Sequence, residues 1–379
     1  MKLEDKLRMI MQRAVDDGEL SGCSALICRR DGASWYAACG VADMVSGRPV
    51  ERDTIFRMYS QTKPVTAVAL TMLIDRGLLD AGDPVEKWLP GFRGQRVLGP
   101  DGPVPPSTPV AVMHLMSMTS GLVYPDADPA GQAMGALFAR NEDDIDRGGG
   151  MTTLAFANEM GKTPLAFQPG ERFRYGVSAD VAGALVEAVD GRPFDRFLRE
   201  EIFEPLGMLD TDFFVPPEKR GRLAEAYQLQ DGRLTRYQTH HLCIRDYSGM
   251  PPFASGGAGL FSTLDDYALF GEMLLNRGVF RGRRLLSERA VDWMTRPQVD
   301  TTGWAYLCGY GYGKFMSVCT DPGKTPGFSS LGEYGWGGWL GTNFVNMPRE
   351  RMTVLFCQNT NGARDTAWRK IRNAALAEA

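Results

Sequence analysis

Ser60 and Lys63, three residues apart in Ser60-Gln61-Thr62-Lys63, are the residues whose types and spacing most directly suggest chemistry. A serine hydroxyl becomes a nucleophile when a base takes its proton, and a lysine one helical turn further on can be that base without histidine. Such a lysine must lie where burial or neighbouring positive charge favours its neutral form. The apolar run Pro64-Val-Thr-Ala-Val-Ala-Leu-Thr-Met-Leu-Ile-Asp75 reads as a buried helix that would supply the burial. Thr54 to Met58 reads as a short strand, so Ser60 is expected at a strand-to-helix junction. There, unpaired backbone N–H groups and the positive end of the helix dipole favour an oxyanion. Alone, the tetrapeptide is weak evidence, since such a pattern arises by chance about once in a chain of this size. An N-capping serine beside a solvated lysine is the plain alternative.

Other chemistries fit less well. The histidines are His114, His240 and His241, none with H-E-x-x-H spacing, and the adjacent pair would point to opposite faces of a strand. The seven cysteines are odd in number and include no C-x-x-C pair, which suggests reduced thiols rather than a disulfide framework or thiolate zinc site. No metal or cofactor is expected. Gly-x-Ser-x-Gly does not occur, which weakens an α/β-hydrolase reading. Gly148 to Gly150 lacks the lysine of a phosphate loop, and Gly309-Tyr-Gly-Tyr-Gly313 lies in an aromatic strand pattern. A net charge of -4 and a pI near 5.6 disfavour nucleic acid or an anionic membrane surface as partners.

The elements that must position the pair follow from periodicity. With 379 residues, 44% of them hydrophobic, the chain can bury a large core. Leu3, Leu7, Ile10, Met11 and Ala14 share one face of an N-terminal helix. That segment lacks the features of a signal peptide, no later run is apolar enough to span a bilayer, and a cytoplasmic location is the expectation. Cys23 to Arg30 and Ala33 to Cys39 flank Asp31-Gly32, a two-residue hairpin signal. Strand patterns recur at Ala305 to Met316, Tyr334 to Leu340, Thr342 to Met347 and Met352 to Gln358, before a last helix bearing Trp368, Ile371, Ala375 and Leu376. The expected assembly is an α+β fold: an antiparallel sheet domain from residues 1–78 and 215–379, flanked by the terminal helices, with 79–214 inserted as a mostly helical subdomain. Within it, Asp126 to Gly150 reads as a lid-like irregular loop or a surface excursion.

Four further segments accompany Ser60-Gln-Thr-Lys63, in order: His114-Leu-Met-Ser-Met-Thr-Ser-Gly-Leu122, Phe167-Gln-Pro-Gly-Glu-Arg-Phe-Arg-Tyr175, Ile202-Phe-Glu-Pro-Leu-Gly-Met208 and Ser255-Gly-Gly-Ala-Gly-Leu-Phe-Ser-Thr263. Together they resemble the serine β-lactamase and penicillin-binding-protein superfamily, most closely class C β-lactamases and family VIII carboxylesterases. The resemblance runs from about Leu20 to the last helix and implies a β-lactamase-like serine hydrolase fold. It implies Tyr175 as the phenol that relays protons with Lys63, the bland reading being a core aromatic. It also implies Tyr124 and Asp180 as residues near the mouth of the site, although each has a structural reading as loop anchor or helix cap.

The chain departs from the superfamily pattern twice. Val177 stands where class C enzymes place an asparagine, and Trp336-Gly337-Gly338-Trp339 replaces the K-T-G element, as in family VIII esterases. The missing lysine removes positive charge that would meet a substrate carboxylate, which favours neutral esters over anionic lactams. The two glycines would let a carbonyl approach the strand, so that the N–H groups of Ser60 and Trp339 form the oxyanion hole, with Trp336 lining the acyl pocket. The reading is a carboxylesterase working through a Ser60 acyl-enzyme on a small-molecule ester or amide. The rivals are a β-lactamase, D-amino-acid peptidase, amidase or acyltransferase on the same residues, or a non-catalytic binding module of the same fold.

Overall fold

The computed structural model describes residues 1–238, 240–301 and 307–378. Its centre is an antiparallel sheet that joins both ends of the chain. We label its strands β1 (Gly22–Arg29), β2 (Ser34–Asp43), β3 (Arg48–Pro49), β4 (Val299–Asp300), β5 (Tyr310–Tyr312), β6 (Ser317–Cys319), β7 (Tyr334–Gly337), β8 (Asn343–Met347) and β9 (Met352–Gln358). Their order is β4-β5-β6-β7-β8-β9-β1-β2-β3, with the N-terminal hairpin paired to the C-terminal strand through Leu26 opposite Leu355.

Side-chain alternation in these strands builds two layers. Ala25, Ile27, Val345, Val354 and Phe356 face the helices α1 (Leu3–Asp16) and Thr366–Leu376, meeting Leu7, Met11 and Ile371. Leu26, Phe344 and Leu355 face the other way, toward the helix Leu264–Leu275, in a cluster that continues to Phe156 and Phe194 in the helical region. That region contains α2 (Lys63–Asp75), α3 (Val112–Met116), α4 (Pro129–Asp146), α5 (Thr153–Gly161) and α6 (Ser178–Asp190). The chain is thus a mixed α/β protein with an antiparallel sheet. Among the described residues no helix is long and apolar enough to cross a membrane.

Three sequence expectations change. Asp126 to Gly150 is no loop: most of it is α4, capped by the Asp128 carboxylate, which accepts from the N–H groups of Ala130 (3.0 Å) and Gly131 (3.1 Å). Gly131, Gly135 and the acidic residues obscured an apolar face of Ala130, Met134, Leu137 and Phe138, and Pro129 suits the first helical position. The first hairpin turns over three residues, because Arg29 N–H bonds Ala33 O and Gly32 takes the left-handed conformation (φ +91°) that closes a longer turn. The late strands are shorter than their patterns: β5 ends before the turn at Lys314-Phe315 (φ +57° at Phe315), and β7 stops at Gly337. Ala305 and Tyr306, the start of the strand expected from Ala305 to Met316, lie outside the described residues.

Candidate active site

Ser60 does not begin the helix itself. It sits in a single 3-10 turn, Tyr59–Thr62, between the short strand Phe56–Arg57 and α2, so the i, i+3 spacing survives while α2 starts at Lys63. Tyr59 is left-handed (φ +44°) although it is neither glycine nor exposed. Such a backbone is costly for a bulky residue and persists only where packing over-determines it. Here Tyr59 is held in a small cluster with Ala226, Ile244, Ala258 and Leu340. The turn is further tied by the Tyr267 hydroxyl donating to Gln61 O (2.6 Å) and Leu260 N–H donating to Thr62 Oγ1 (3.1 Å).

Lys63 is fully buried. Its Nζ lies 3.1 Å from Ser60 Oγ, 3.0 Å from Tyr124 Oη and 2.8 Å from Gly257 O. Gly257 O can only accept, so one amine proton is committed to it. In the neutral amine a second proton reaches Tyr124 and the lone pair faces the Ser60 hydroxyl, the arrangement a base needs. The Gly257 carbonyl is aimed by Asp180, whose Oδ1 accepts from Ser255 Oγ (2.5 Å) and Gly257 N–H (3.0 Å). Burial raises the Asp180 carboxyl, and the Lys63 charge works against that rise.

Two tyrosines lie beside the Lys63 amine. Tyr175, expected to present its hydroxyl to the Ser–Lys pair, lays its ring face beside the amine, 4.6 Å from Nζ, and its Oη accepts from Trp336 Nε1 at 3.0 Å. Tyr124, expected at the mouth, has its phenol hydrogen-bonded to Lys63. Tyr124 follows the Ser120-Gly-Leu122 element, and the Ser120–Ser178 hydroxyl contact (2.8 Å) ties that element to α6, so the two rings lie 5.6 Å apart. Burial pushes the Tyr124 phenol well above its usual range, and Tyr175 and Asp180 push it the same way, so it is a neutral hydroxyl near pH 7. Asp180 is likewise not at the mouth: it is 3% exposed, inside the core behind Lys63, because α6 turns its first residues inward. Val177, where an asparagine was missed, is an apolar core residue.

On the opposite wall, Trp336 packs against Tyr175 (5.4 Å between centroids) and edge-on against Tyr312 (5.1 Å). Gly338 sits where a Cβ would come within 2.1 Å of Met58 O, and Thr342 Oγ1 donates to the same carbonyl at 3.2 Å. The glycine is therefore required for the strand end to close on the nucleophile turn. Gly337 precedes it at the end of β7. The backbone N–H groups of Ser60 and Trp339 have no acceptor among the described residues, as donors reserved for an oxyanion would. Among the described residues no group of three or more His, Cys, Asp or Glu side chains converges to hold a metal ion.

Sequence reasoning missed the Asp180–Gly257–Lys63 chain of contacts and a third aromatic, Tyr312. It also missed Tyr237 and His241, which lie against Trp339. His241 belongs to a turn closed between His241 and Ile244 rather than to a strand, and its ring stacks on Trp339. No local motif marks these residues, because each is defined by a partner far along the chain.

A buried lysine on a serine hydroxyl, under an antiparallel sheet with a helical region above it, defines the serine hydrolases of the β-lactamase type. The family model "Beta-lactamase" matches residues 7–377, and the chain belongs to that family. Esterase EstB from Burkholderia gladioli is 30% identical over 373 residues, covering 94% of this chain and 91% of that protein. Lovastatin esterase from Penicillium rubens is 30% identical over 347 residues, covering 87% and 81%. Among solved structures, "EstCE1, a hydrolase with promiscuous acyltransferase activity" superposes with a TM-score of 0.84 at 27% identity, covering 98% of each chain.

Proposed function

We propose that this chain is a carboxylesterase that cleaves neutral esters through an acyl-enzyme on Ser60. The observation that carries the reading is the buried amine of Lys63 held between Ser60 Oγ, Tyr124 Oη and the Gly257 carbonyl. Ser60 Oγ attacks the ester carbonyl as Lys63 takes the serine proton, and the N–H groups of Ser60 and Trp339 hold the oxyanion. The proton then passes through Tyr124, a neutral phenol next to the amine, to the alkoxide, which leaves as the alcohol. Tyr175 shapes this relay: its ring faces the ammonium that forms, and its hydroxyl is fixed by Trp336. Water enters in place of the alcohol and attacks the acyl carbon as Lys63 takes its proton, and Lys63 then returns that proton to Ser60 Oγ as the acid leaves.

The ester preference is supported by Trp336-Gly337-Gly338 at the end of β7 in place of a basic element, and by the esterases among the relatives. All seven cysteines are free thiols, which suits the reducing cytoplasm proposed as its location. Ser60→Ala should abolish hydrolysis of short p-nitrophenyl esters without unfolding the protein. A fluorophosphonate should add its mass to the Ser60 peptide of the wild type. Full activity in the variant would overturn the assignment, nitrocefin turnover rivalling ester turnover would shift it to a lactamase, and absent labelling would favour a binding module.

A further inference from the structure

Trp339 is 48% exposed although its neighbour Gly338 is locked against the nucleophile turn and Leu340 is buried beside Tyr59. The indole is nevertheless held. His241 stacks on it with centroids 5.2 Å apart and planes 23° from parallel, and its Nε1 donates to Tyr237 Oη at 3.2 Å. A large flat side chain that is both fixed and open, one residue from the strand end that closes on Ser60, is arranged to meet a ligand rather than to fill a core.

The segment that holds it is built at some cost. Leu242 and Cys243 are consecutive non-glycine residues with positive φ (+55° and +60°), inside a turn closed by hydrogen bonds between His241 and Ile244. Three sets of contacts keep it in place. Leu242 and Ile244 pack on the Tyr59, Ala258 and Leu340 cluster. Arg245 pairs with Glu142 and Asp146 of α4. Asp246 takes a two-pronged contact from the buried Arg57 at 2.6 and 2.7 Å. Strain maintained by so many anchors, at the edge of a reactive site, points to a function for the geometry.

We propose that Trp339, braced by His241 and Tyr237, is a stacking platform for a planar aromatic alcohol half of the substrate ester. The alcohol half is assigned because the two tryptophans differ in setting, Trp336 packed among aromatic rings and Trp339 48% exposed. Trp336 is half-buried against Tyr175 and Tyr312, a setting suited to an acyl group that stays attached until water arrives. Trp339 is open to solvent, a setting suited to the half that departs first. A planar ring is assigned because offset stacking on a rigid indole gains more than area burial alone, whereas a saturated ring of the same size gains only the area. The identity of the other half as an acyl group rests on the esterase reading.

The test compares 2-naphthylmethyl acetate with its fully saturated counterpart, two acetates whose alcohols differ in planarity but little in acidity. Binding to the Ser60→Ala protein is measured by calorimetry, so that no turnover is needed. The planar ester should bind about tenfold more tightly. Adding Trp339→Leu should bring that ratio close to one, His241→Ala should lose most of it, and His241→Phe, which keeps the stack, should restore it. Equal binding of the two esters, or a ratio unchanged by Trp339→Leu, would overturn the platform. Turnover by the wild type is followed in parallel: failure to cleave either ester counts against the esterase reading, while the binding ratio still decides on the platform.

Discussion

At the scale of single residues, the site turns on which phenol touches the amine. Tyr124 Oη is 3.0 Å from Lys63 Nζ, and the Tyr175 hydroxyl accepts from Trp336 Nε1. Tyr124→Phe removes a proton relay worth about 10² to 10³ in kcat on the general acid–base scale. Tyr175→Phe keeps the ring face beside the amine and should cost about tenfold or less. Steady-state kinetics on one p-nitrophenyl ester, with both variants checked for folding, decides between them; a larger loss at Tyr175 would return the relay to that residue. Ser60 and Lys63 were legible in the sequence because an i, i+3 contact depends only on local backbone geometry. The order of the tyrosines was not, because it depends on how the segments around Tyr124 and Tyr175 approach each other.

At the scale of elements, α6 and the Ser255-Gly-Gly257 turn act together. The Asp180 carboxylate holds the turn whose carbonyl holds Lys63. Asp180→Ala leaves the Ser255 hydroxyl and the Gly257 N–H without their acceptor and frees the carbonyl to drift. A misplacement of about 1 Å in such a support costs on the order of 10²-fold in rate. The loss should fall on kcat and on the rate of fluorophosphonate labelling, with KM little changed. Asp180→Asn retains an acceptor oxygen and should recover much of it; identical behaviour of the two variants would dismiss the support. The sequence grouped Ser255 to Thr263 with Ser60 but showed no link to Asp180, since a hydrogen bond across 75 residues leaves no spacing to read. The misreading of α4 has a different cause: its glycines and acidic residues lower helix propensity, and tertiary burial of one face overrides it.

At the scale of the whole molecule, one buried carboxyl ties stability to pH. Asp266, on the helix Leu264–Leu275 under the sheet, is pushed up to about 6 by burial, despite accepting from Asp210 N–H (2.7 Å) and Thr211 Oγ1 (2.9 Å). A carboxyl raised in the folded state binds its proton more tightly there than in the unfolded chain. Stability from this group is therefore present below pH 4 and lost as pH rises to about 6. The loss is on the order of 3 kcal/mol, being a shift from 3.8 to about 6. Asp266→Asn, whose amide oxygen can still accept from Asp210 N–H, should remove that slope and gain stability at pH 7 relative to pH 4. Urea midpoints of both proteins across this range give the comparison; parallel curves would show that Asp266 does not titrate there.

The sequence by itself determined the Ser60–Lys63 pair, the antiparallel sheet joining the chain ends and the family to which the chain belongs. Each of these rests on periodicity or on short motifs, where neighbours along the chain are neighbours in space. Only the tertiary structure decided that Tyr124 meets Lys63, that Asp180 is a buried support, and that His241 and Tyr237 brace Trp339. Those contacts join segments 61 to 102 residues apart. They are set by how α6, the Ser255–Gly257 turn and the end of β7 pack around the turn at Ser60, which no spacing in the sequence encodes.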